Sequence, residues 1–308
     1  MAERTGGQLL VDALAHQGVR TIFGIPGVQL DHAADALYQA ADRISFFCAR
    51  NEQATTYMAD GYARSTGLGL RALAAAVGRP HRGSREDEFE RVRKWLEDCL
   101  ADITPQRGYL AAIRSVLPDD GVFVSEFTQV GYAASVCFPV YHPRGYIGPG
   151  YQGTLGYGFA TALGAKAADP SRAVISVTGD GGFSWTMQEL STLRRYGLGL
   201  VTIVFNDGYF GNVRRIQKNR YGGRYFASDL TNPDYQQLAG AFGIGFACAR
   251  DPGSLAGVLR DAVAASEPVL VEVPVGEFPS PWHLIHEGIP RPAPIAPGAH
   301  LPTERRHA

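Results

Sequence analysis

The 308-residue chain is 45% hydrophobic and 19% charged, which is typical of a globular protein of about two domains. Its formal net charge of −1 excludes the strongly basic surface of a nucleic-acid-binding protein and provides no attraction to an acidic membrane. The sequence has no apolar run of bilayer length and its first residues lack the apolar core of a signal peptide, so we expect a cytoplasmic protein.

The cysteines are widely separated in the sequence and include no C-x-x-C pair. They are Cys48, Cys99, Cys137 and Cys248. A zinc site or a disulfide framework needs closer or more numerous cysteines, so we expect buried, reduced thiols.

The first part of the chain alternates between strand-like and helix-like segments. The predicted elements are a helix at 8–18, a strand at Thr21–Ile25 before a Pro26-Gly27 turn, a helix at 30–40, a strand at Ile44–Cys48 and a helix capped by Asn51 that runs to about Arg64. This alternation predicts a parallel α/β sheet. The pattern weakens near Gly67, and residues 78–83 read as a linker.

A charged segment begins at Glu86 and carries apolar residues at helical spacing. These residues are Phe89, Val92, Leu96 and Cys99. The spacing predicts a connector helix that belongs to neither sheet.

A second α/β series begins at Pro105. Its predicted strands are Val122–Ser125, Ala173–Thr178, Leu200–Phe205 and Val269–Val275, and its predicted helices are 108–117, 154–168, 185–196, 233–242 and 254–266. The fold class is therefore α/β, a doubly wound parallel sheet with a second, shortened α/β domain. The last twenty residues are rich in proline, which predicts a loose tail.

The strand at Ala173–Thr178 ends in a glycine-rich turn, Gly179–Gly182, that contains Asp180. Glycines at such a turn let backbone N–H groups approach an anion, and a following helix start adds partial positive charge. Many α/β proteins have this turn for purely structural reasons, so the turn is a weak signal when taken alone.

A second element strengthens the signal. Twenty-four residues separate Gly181 from Asn206-Asp207, enough for one helix and one buried strand. The chain therefore returns to the same sheet edge, where open α/β sheets bind ligands. Magnesium binds one or two carboxylates together with phosphate oxygens, so the two segments together predict a Mg²⁺ site facing a diphosphate.

The two-part motif resembles the cofactor motif of thiamine diphosphate enzymes. The neighbouring segments 153–158, Gln188-Glu189-Leu190 and 208–211 are similar to the acetolactate synthase and benzoylformate decarboxylase group. The resemblance runs through about 105–285. It resumes at 23–27 and 50–54, which are similar to the pyrimidine-binding domain of that family.

The resemblance implies roles for individual residues. Asp180 and Asp207 would bind the metal through their side chains, and Tyr209 through its backbone carbonyl. Leu155 would support the bent cofactor; read without the motif, it is an ordinary core leucine. The remaining cofactor-binding residues would be Thr128, Gln129, Gly179, Gly181, Gly182 and Asn206. Because many members have Asn at position 207, Asp207 adds a negative charge near the diphosphate.

Glu52 is implied as the catalytic residue. In the family, the matching glutamate hydrogen-bonds N1′ of the aminopyrimidine and promotes removal of the thiazolium C2 proton. A plainer interpretation is an acidic residue that interacts with the helix dipole beside Asn51.

The sequence departs from the family pattern after Gly67, where the resemblance of the first domain ends, and the central domain is missing. We therefore expect a shortened pyrimidine-binding domain (1–78), a linker with the connector helix (79–104), a diphosphate- and Mg-binding domain (105–276) and a C-terminal tail (277–308). FAD is not expected. In the family, the cofactor lies between two subunits, which implies a homodimer or higher homo-oligomer, with room for a second polypeptide.

Three interpretations remain open. The first is a compact thiamine diphosphate- and Mg-dependent enzyme that decarboxylates a 2-oxo acid, after which the resulting carbanion reacts with a second carbonyl compound or a proton. The second is an inactive cofactor-binding remnant or regulatory subunit. The third is a phosphate-binding α/β protein of another type, in which the spacing to Asn206-Asp207 arises by chance.

Overall fold

The computed structural model describes residues 5–26, 31–66, 86–150 and 153–285. The predicted linker at 78–83 and the last twenty residues lie outside these ranges. Within the part of the chain described, no helix combines the length and the apolar character that crossing a bilayer requires.

The N-terminal part forms the strand–helix alternation that the sequence predicts. Its elements are α1 (Gly6–His16), β1 (Thr21–Gly24), α2 (Asp31–Gln39), β2 (Ser45–Cys48) and α3 (Glu52–Thr66). β1 and β2 pair in parallel, with Thr21 opposite Ser45. The predicted cap of α3 is confirmed, since Oδ1 of Asn51 accepts a hydrogen bond of 3.2 Å from the backbone N–H of Ala54.

The predicted connector helix is confirmed as α4 (Glu86–Cys99). Leu96 and Cys99, in its last turns, are partly buried against the core of the main sheet. Phe89 lies farther from that core and is 62% exposed. The C-terminal end of α4 is therefore docked on the main sheet.

The rest of the chain is built around a six-stranded parallel sheet. In chain order the elements are α5 (Gln106–Val116), β3 (Val122–Ser125), α6 (Gln129–Cys137), β4 (Tyr146–Ile147), α7 (Tyr157–Ala168), β5 (Val174–Gly179), α8 (Asp180–Phe183), a 3₁₀ turn (Met187–Glu189), α9 (Leu190–Arg195), β6 (Leu200–Asn206), α10 (Gly211–Arg220), α11 (Tyr235–Ala241), β7 (Gly245–Cys248), α12 (Pro252–Ala265), β8 (Val269–Pro274) and α13 (Trp282–Ile285). The strand order is β4-β3-β5-β6-β8-β7. All pairs are parallel, which confirms the doubly wound α/β fold.

Both faces of this sheet are covered, as parallel sheets require. Along β6, Val201 and Ile203 point into one hydrophobic core, beneath α5, α6 and α12. Leu200 and Val204 point into the other, beneath α3, α7 and α11. The strands β3, β5, β6 and β8 are therefore mainly apolar runs, which is why the sequence predicts these four.

Several predicted elements need correction. The single helix predicted at 185–196 is wrong, because the chain forms only a 3₁₀ turn (Met187–Glu189) and the short α9 (Leu190–Arg195) there. α10 was not predicted, because it has no buried residue and hence no apolar stripe. α6, β4 and β7 were also missed. The cysteines are unbonded as expected, but three are only partly buried and Cys248 is exposed.

The N-terminal part packs on the main sheet through a close crossing of α3 and α7. A Cβ added to Gly164 would lie 1.8 Å from the backbone oxygen of Met58, and one added to Gly61 would lie 2.1 Å from that of Thr161. Each helix therefore supplies a glycine where the other presents a carbonyl. Larger residues could not pack at this spacing.

Candidate functional site

The strand register brings the two predicted motif segments together. Gly179 of β5 is paired with Phe205 of β6 in the parallel ladder. Asp180 and Asn206 therefore leave adjacent strands at the same edge of the sheet, and Asp207 follows directly. This is the arrangement that the spacing of the motif predicts.

Asp180 is buried and held in a fixed orientation. Its Oδ2 accepts hydrogen bonds from the backbone N–H of Gly208 at 2.9 Å and from Nδ2 of Asn232 at 2.6 Å. Gly208 has a φ of +76°, so a glycine is needed for its N–H to reach the carboxylate. Burial raises the pKa of Asp180, while the hydrogen bonds from Asn232, Gly181 and Gly208 act in the opposite direction.

Asp207 lies close enough to Asp180 for the two carboxylates to repel each other. Burial, and then the charge of Asp180, raises the pKa of Asp207 to about 6. Its Oδ2 accepts a hydrogen bond of 3.0 Å from Nε2 of Gln129, and its Oδ1 accepts one of 3.0 Å from the backbone N–H of Tyr209. A bound cation would relieve this repulsion, so the pair fits a divalent metal.

The donor set suits magnesium better than a transition metal. No cluster of three or more His, Cys, Asp or Glu residues able to hold a metal occurs in the described ranges. Magnesium needs only one or two carboxylates, with phosphate oxygens and water completing its coordination. Asp180 and Asp207 provide this pair.

The glycine turn beside Asp180 is packed too tightly for side chains. A Cβ on Gly182 would lie 2.2 Å from Oε1 of Glu126, and one on Gly181 would lie 2.9 Å from the ring of Phe210. The turn therefore presents backbone N–H groups, which suits a diphosphate. Thr128 adds a helix N-terminus, because its Oγ1 caps α6 by accepting from Gly131 at 2.8 Å.

Glu126 is a buried carboxyl that the residue-by-residue sequence analysis did not single out. It accepts hydrogen bonds from the N–H groups of Gly156 at 2.8 Å and Gly158 at 3.2 Å, and from the hydroxyl of Thr178 at 2.5 Å. Burial raises the pKa of Glu126 to about 7, although these hydrogen bonds oppose the rise. The detectable signal was an acidic residue directly after the apolar strand β3, at the same sheet edge.

A cavity of about 550 Å³ opens above this edge. Nine of the predicted residues line it: Thr128, Gln129, Leu155, Gly179, Asp180, Gly181, Gly182, Asp207 and Tyr209. Leu155 is 40% exposed, so it is not the core leucine of the plainer interpretation. The structure therefore gathers most of the predicted site around one cavity.

Asn206 and Glu52 do not line this cavity. The side chain of Asn206 donates to Oε1 of Glu272 at 2.8 Å and accepts from Asn232 at 2.9 Å. Asn206 therefore stabilises the neighbourhood of the site without lining the cavity. Glu52 is exposed at the start of α3. The residue two positions before it is anchored, since the buried Glu189 accepts from the backbone N–H of Arg50 at 2.9 Å.

Comparison with known proteins identifies the family. The model described as "Thiamine pyrophosphate enzyme, N-terminal TPP binding domain" matches residues 4–80, and "Thiamine pyrophosphate enzyme, C-terminal TPP binding domain" matches residues 127–273. The chain belongs to the thiamine pyrophosphate enzyme family. The N-terminal match ends at residue 80, somewhat beyond Gly67, where the sequence pattern weakens.

Individual members of the family agree with this assignment. The chain is 33% identical over 212 residues to an acetolactate synthase large subunit of Parasynechococcus marenigrum, a match that covers 65% of this chain and 33% of the relative. A second such subunit, from Lactococcus lactis, is 33% identical over 189 residues, 61% of this chain and 32% of the relative. The chain thus matches about a third of the length of its curated relatives.

A solved structure is similar as well. The thiamine diphosphate-dependent 4-hydroxybenzoylformate decarboxylase of Rhodococcus jostii superposes with a TM-score of 0.50 at 29% identity. The match covers 54% of this chain and 32% of the decarboxylase.

Proposed function

We propose that the chain binds thiamine diphosphate together with Mg²⁺ and acts as a 2-oxo acid decarboxylase or carboligase of the acetolactate synthase type. The observation that carries the proposal is the pair of mutually repelling carboxylates, Asp180 and Asp207, at adjacent strand ends. They lie beside a glycine turn whose N–H groups suit a diphosphate. FAD has no role in this proposal, and a cytoplasmic location is part of it.

Most of the predicted residues that line the cavity have a role in this proposal. Asp180, Asp207 and the carbonyl of Tyr209 would hold Mg²⁺, while the Gly181-Gly182 turn and the start of α6 would hold the diphosphate. Leu155, at the cavity mouth, would support the cofactor rings. When bound, the cofactor supplies the electron sink for decarboxylation, and the protein supplies orientation and polarity.

Glu52 would act on the cofactor of a second copy of the chain. It is exposed and does not line the cavity of its own chain, so a single chain does not complete the site. A homodimer, in which α3 of one chain faces the cavity of the other, would bring the two together. The proposal therefore includes self-association.

The absence of Glu52 from the cavity of its own chain also supports a second candidate, an inactive cofactor-binding remnant or regulatory subunit. If the copies do not associate so that Glu52 reaches the cofactor, the chain would bind thiamine diphosphate without turnover. Its match to only about a third of each relative is consistent with this candidate.

Calorimetric titration with thiamine diphosphate tests binding, with the molecular mass measured by light scattering in the same samples. We expect binding with Mg²⁺ and none with excess chelator, and Asp180→Ala should abolish it because Mg²⁺ then loses one of its two carboxylate ligands. Equal binding in the presence of chelator would refute the metal-dependent site.

Pyruvate decarboxylation separates the two candidates. An active enzyme should turn over pyruvate or another simple 2-oxo acid, and Glu52→Gln should remove that turnover while preserving cofactor affinity. Tight metal-dependent binding without turnover of any simple 2-oxo acid would favour the remnant.

A further inference from the structure

Helix α10 presents three cationic side chains to the cavity: Arg214, Arg215 and Lys218. Two of them are neutralised by carboxylates. Arg214 pairs with Asp229 at 2.8 Å, and Lys218 pairs with Glu277 at 2.7 Å.

Arg215 differs from these two neighbours. Its guanidinium donates to the hydroxyl of Ser280 and to Oδ1 of Asn212, both of which are neutral, and it lies 4.8 Å from the ring centre of Trp282. Within the described part of the chain, Arg215 forms no salt bridge of 4.0 Å or shorter. It is therefore a positioned cation with remaining capacity for an anion.

The surroundings of Arg215 make its charge costly without such an anion. Burial lowers the pKa of Arg215, and its interactions with Tyr132 and Glu277 only partly oppose this effect. A partly desolvated cation is stabilised when an anionic ligand replaces the lost water.

Helix geometry places Arg215 toward the metal site. A Cβ on Gly211 would lie 2.7 Å from Oδ2 of Asp207, so the first residue of α10 contacts the metal-site carboxylate. Arg215 is four residues further, on the same face of the helix and about 6 Å along its axis. The anionic ligand that the proposed function places in this cavity is the diphosphate.

The charges of the site call for a cation at this position. Asp180 and Asp207 together would neutralise Mg²⁺, which leaves the diphosphate charge without a metal counter-charge. A neutral residue at position 207 would leave one positive charge on the metal site, which the carboxylate of Asp207 removes. The guanidinium of Arg215 can provide that charge and two parallel N–H donors to a phosphate.

We propose that Arg215 is a cofactor-binding residue that contacts the terminal phosphate group of thiamine diphosphate. This inference rests on the proposed function, since it requires that cofactor in the cavity. In this proposal, the segment Glu277–Trp282 positions the guanidinium of Arg215 through the hydroxyl of Ser280 and the ring of Trp282.

The test compares thiamine diphosphate with thiamine monophosphate, which lacks the terminal phosphate, by calorimetry in the presence of Mg²⁺. Arg215→Gln should raise the Kd for the diphosphate about 10- to 100-fold, the usual effect of losing a charge-assisted hydrogen bond, and should change the monophosphate Kd less than about threefold. Arg215→Lys keeps the charge and should restore part of the affinity. Arg220→Gln, on the same helix but outside the cavity lining, is the matched control and should change neither Kd.

Each other result overturns the inference. An equal loss for both ligands, or a lysine variant as weak as the glutamine variant, would mean that Arg215 only supports the fold of the cavity wall. An unchanged diphosphate Kd with a raised KM for a 2-oxo acid would assign Arg215 to the substrate carboxylate. If the unmodified protein fails to bind thiamine diphosphate, the proposed function itself fails. If it binds and Arg215→Gln binds equally well, only the inference about Arg215 fails.

Discussion

The side-chain amide of Asn232 donates to Oδ2 of Asp180 at 2.6 Å and to Oδ1 of Asn206 at 2.9 Å. One NH₂ group thus joins the ends of two neighbouring strands, β5 and β6, and sets the orientation of a proposed metal ligand. The carboxylate is held in place before any cation arrives, and this lowers the entropic cost of binding.

Replacing Asn232 by Ala should weaken metal binding. The change removes a hydrogen bond to a charged, buried group, so we expect the Mg²⁺ affinity in the presence of thiamine diphosphate to fall about tenfold or more. A Mg²⁺ titration followed by calorimetry measures this. Asn219→Ala, on the exposed side of α10, should leave the affinity unchanged; an equal affinity in both variants would contradict the assigned role of Asn232.

Glu126 should make the cofactor-free protein less stable as the pH rises. Its pKa is about 7 in the folded state and near 4.5 when exposed, so the folded state holds the proton more tightly. Stability is therefore lost between about pH 4.5 and pH 7, by about 3 kcal/mol if the group titrates alone.

Glu126→Gln removes this titration, so its free energy of unfolding should fall less over that pH range. Urea unfolding at pH 5 and pH 7.5 measures the difference, with the exposed Glu90→Gln as the control. A variant that loses as much stability as the parent protein would show that Glu126 is not the group responsible.

Gly164→Ala should destabilise the protein, because the new Cβ would lie 1.8 Å from the backbone oxygen of Met58. Separating α3 from α7 to make room should cost about 1–3 kcal/mol, seen as a lower Tm. Gly257→Ala is a matched control in α12, where an added Cβ meets no atom within 4 Å. That variant should gain about 0.4–1 kcal/mol, and a similar fall in both would refute the packing argument.

Two inactive variants should restore activity when mixed, if Glu52 serves the cavity of a partner. A mixed dimer of Glu52→Gln and Asp180→Ala chains contains one site with both residues intact. Random exchange in a two-fold dimer should then return about a quarter of the parental rate of 2-oxo acid decarboxylation. If mass measurement shows that the subunits have exchanged and the mixture is still inactive, Glu52 and the metal act in the same chain.

The four central strands of the main sheet, β3, β5, β6 and β8, were predictable from the sequence because they are largely buried apolar runs, whereas the edge strands β4 and β7 were missed. The convergence of Asp180 and Asp207 followed from spacing alone, since parallel strands end at the same edge. Both predictions use only the type and spacing of residues along the chain, which a single sequence provides.

Residues that act through contacts distant in sequence could not be predicted in this way. Asn232 reaches Asp180 across 52 residues, and no spacing rule connects them. Helix α10 was missed because it buries no residue, so Arg215 was not placed in the cavity. Asn206 was assigned to the cofactor by its motif, whereas its side chain faces Glu272.

The crossing of α3 and α7 joins the N-terminal part to the main sheet independently of the peptide chain between them. Because backbone oxygens occupy the spaces where Cβ atoms would lie, the two parts are interlocked at one angle and cannot slide past each other. A protein cut by a protease at a single bond within residues 67–85 should consequently remain one particle, with both pieces eluting together until the helices themselves unfold.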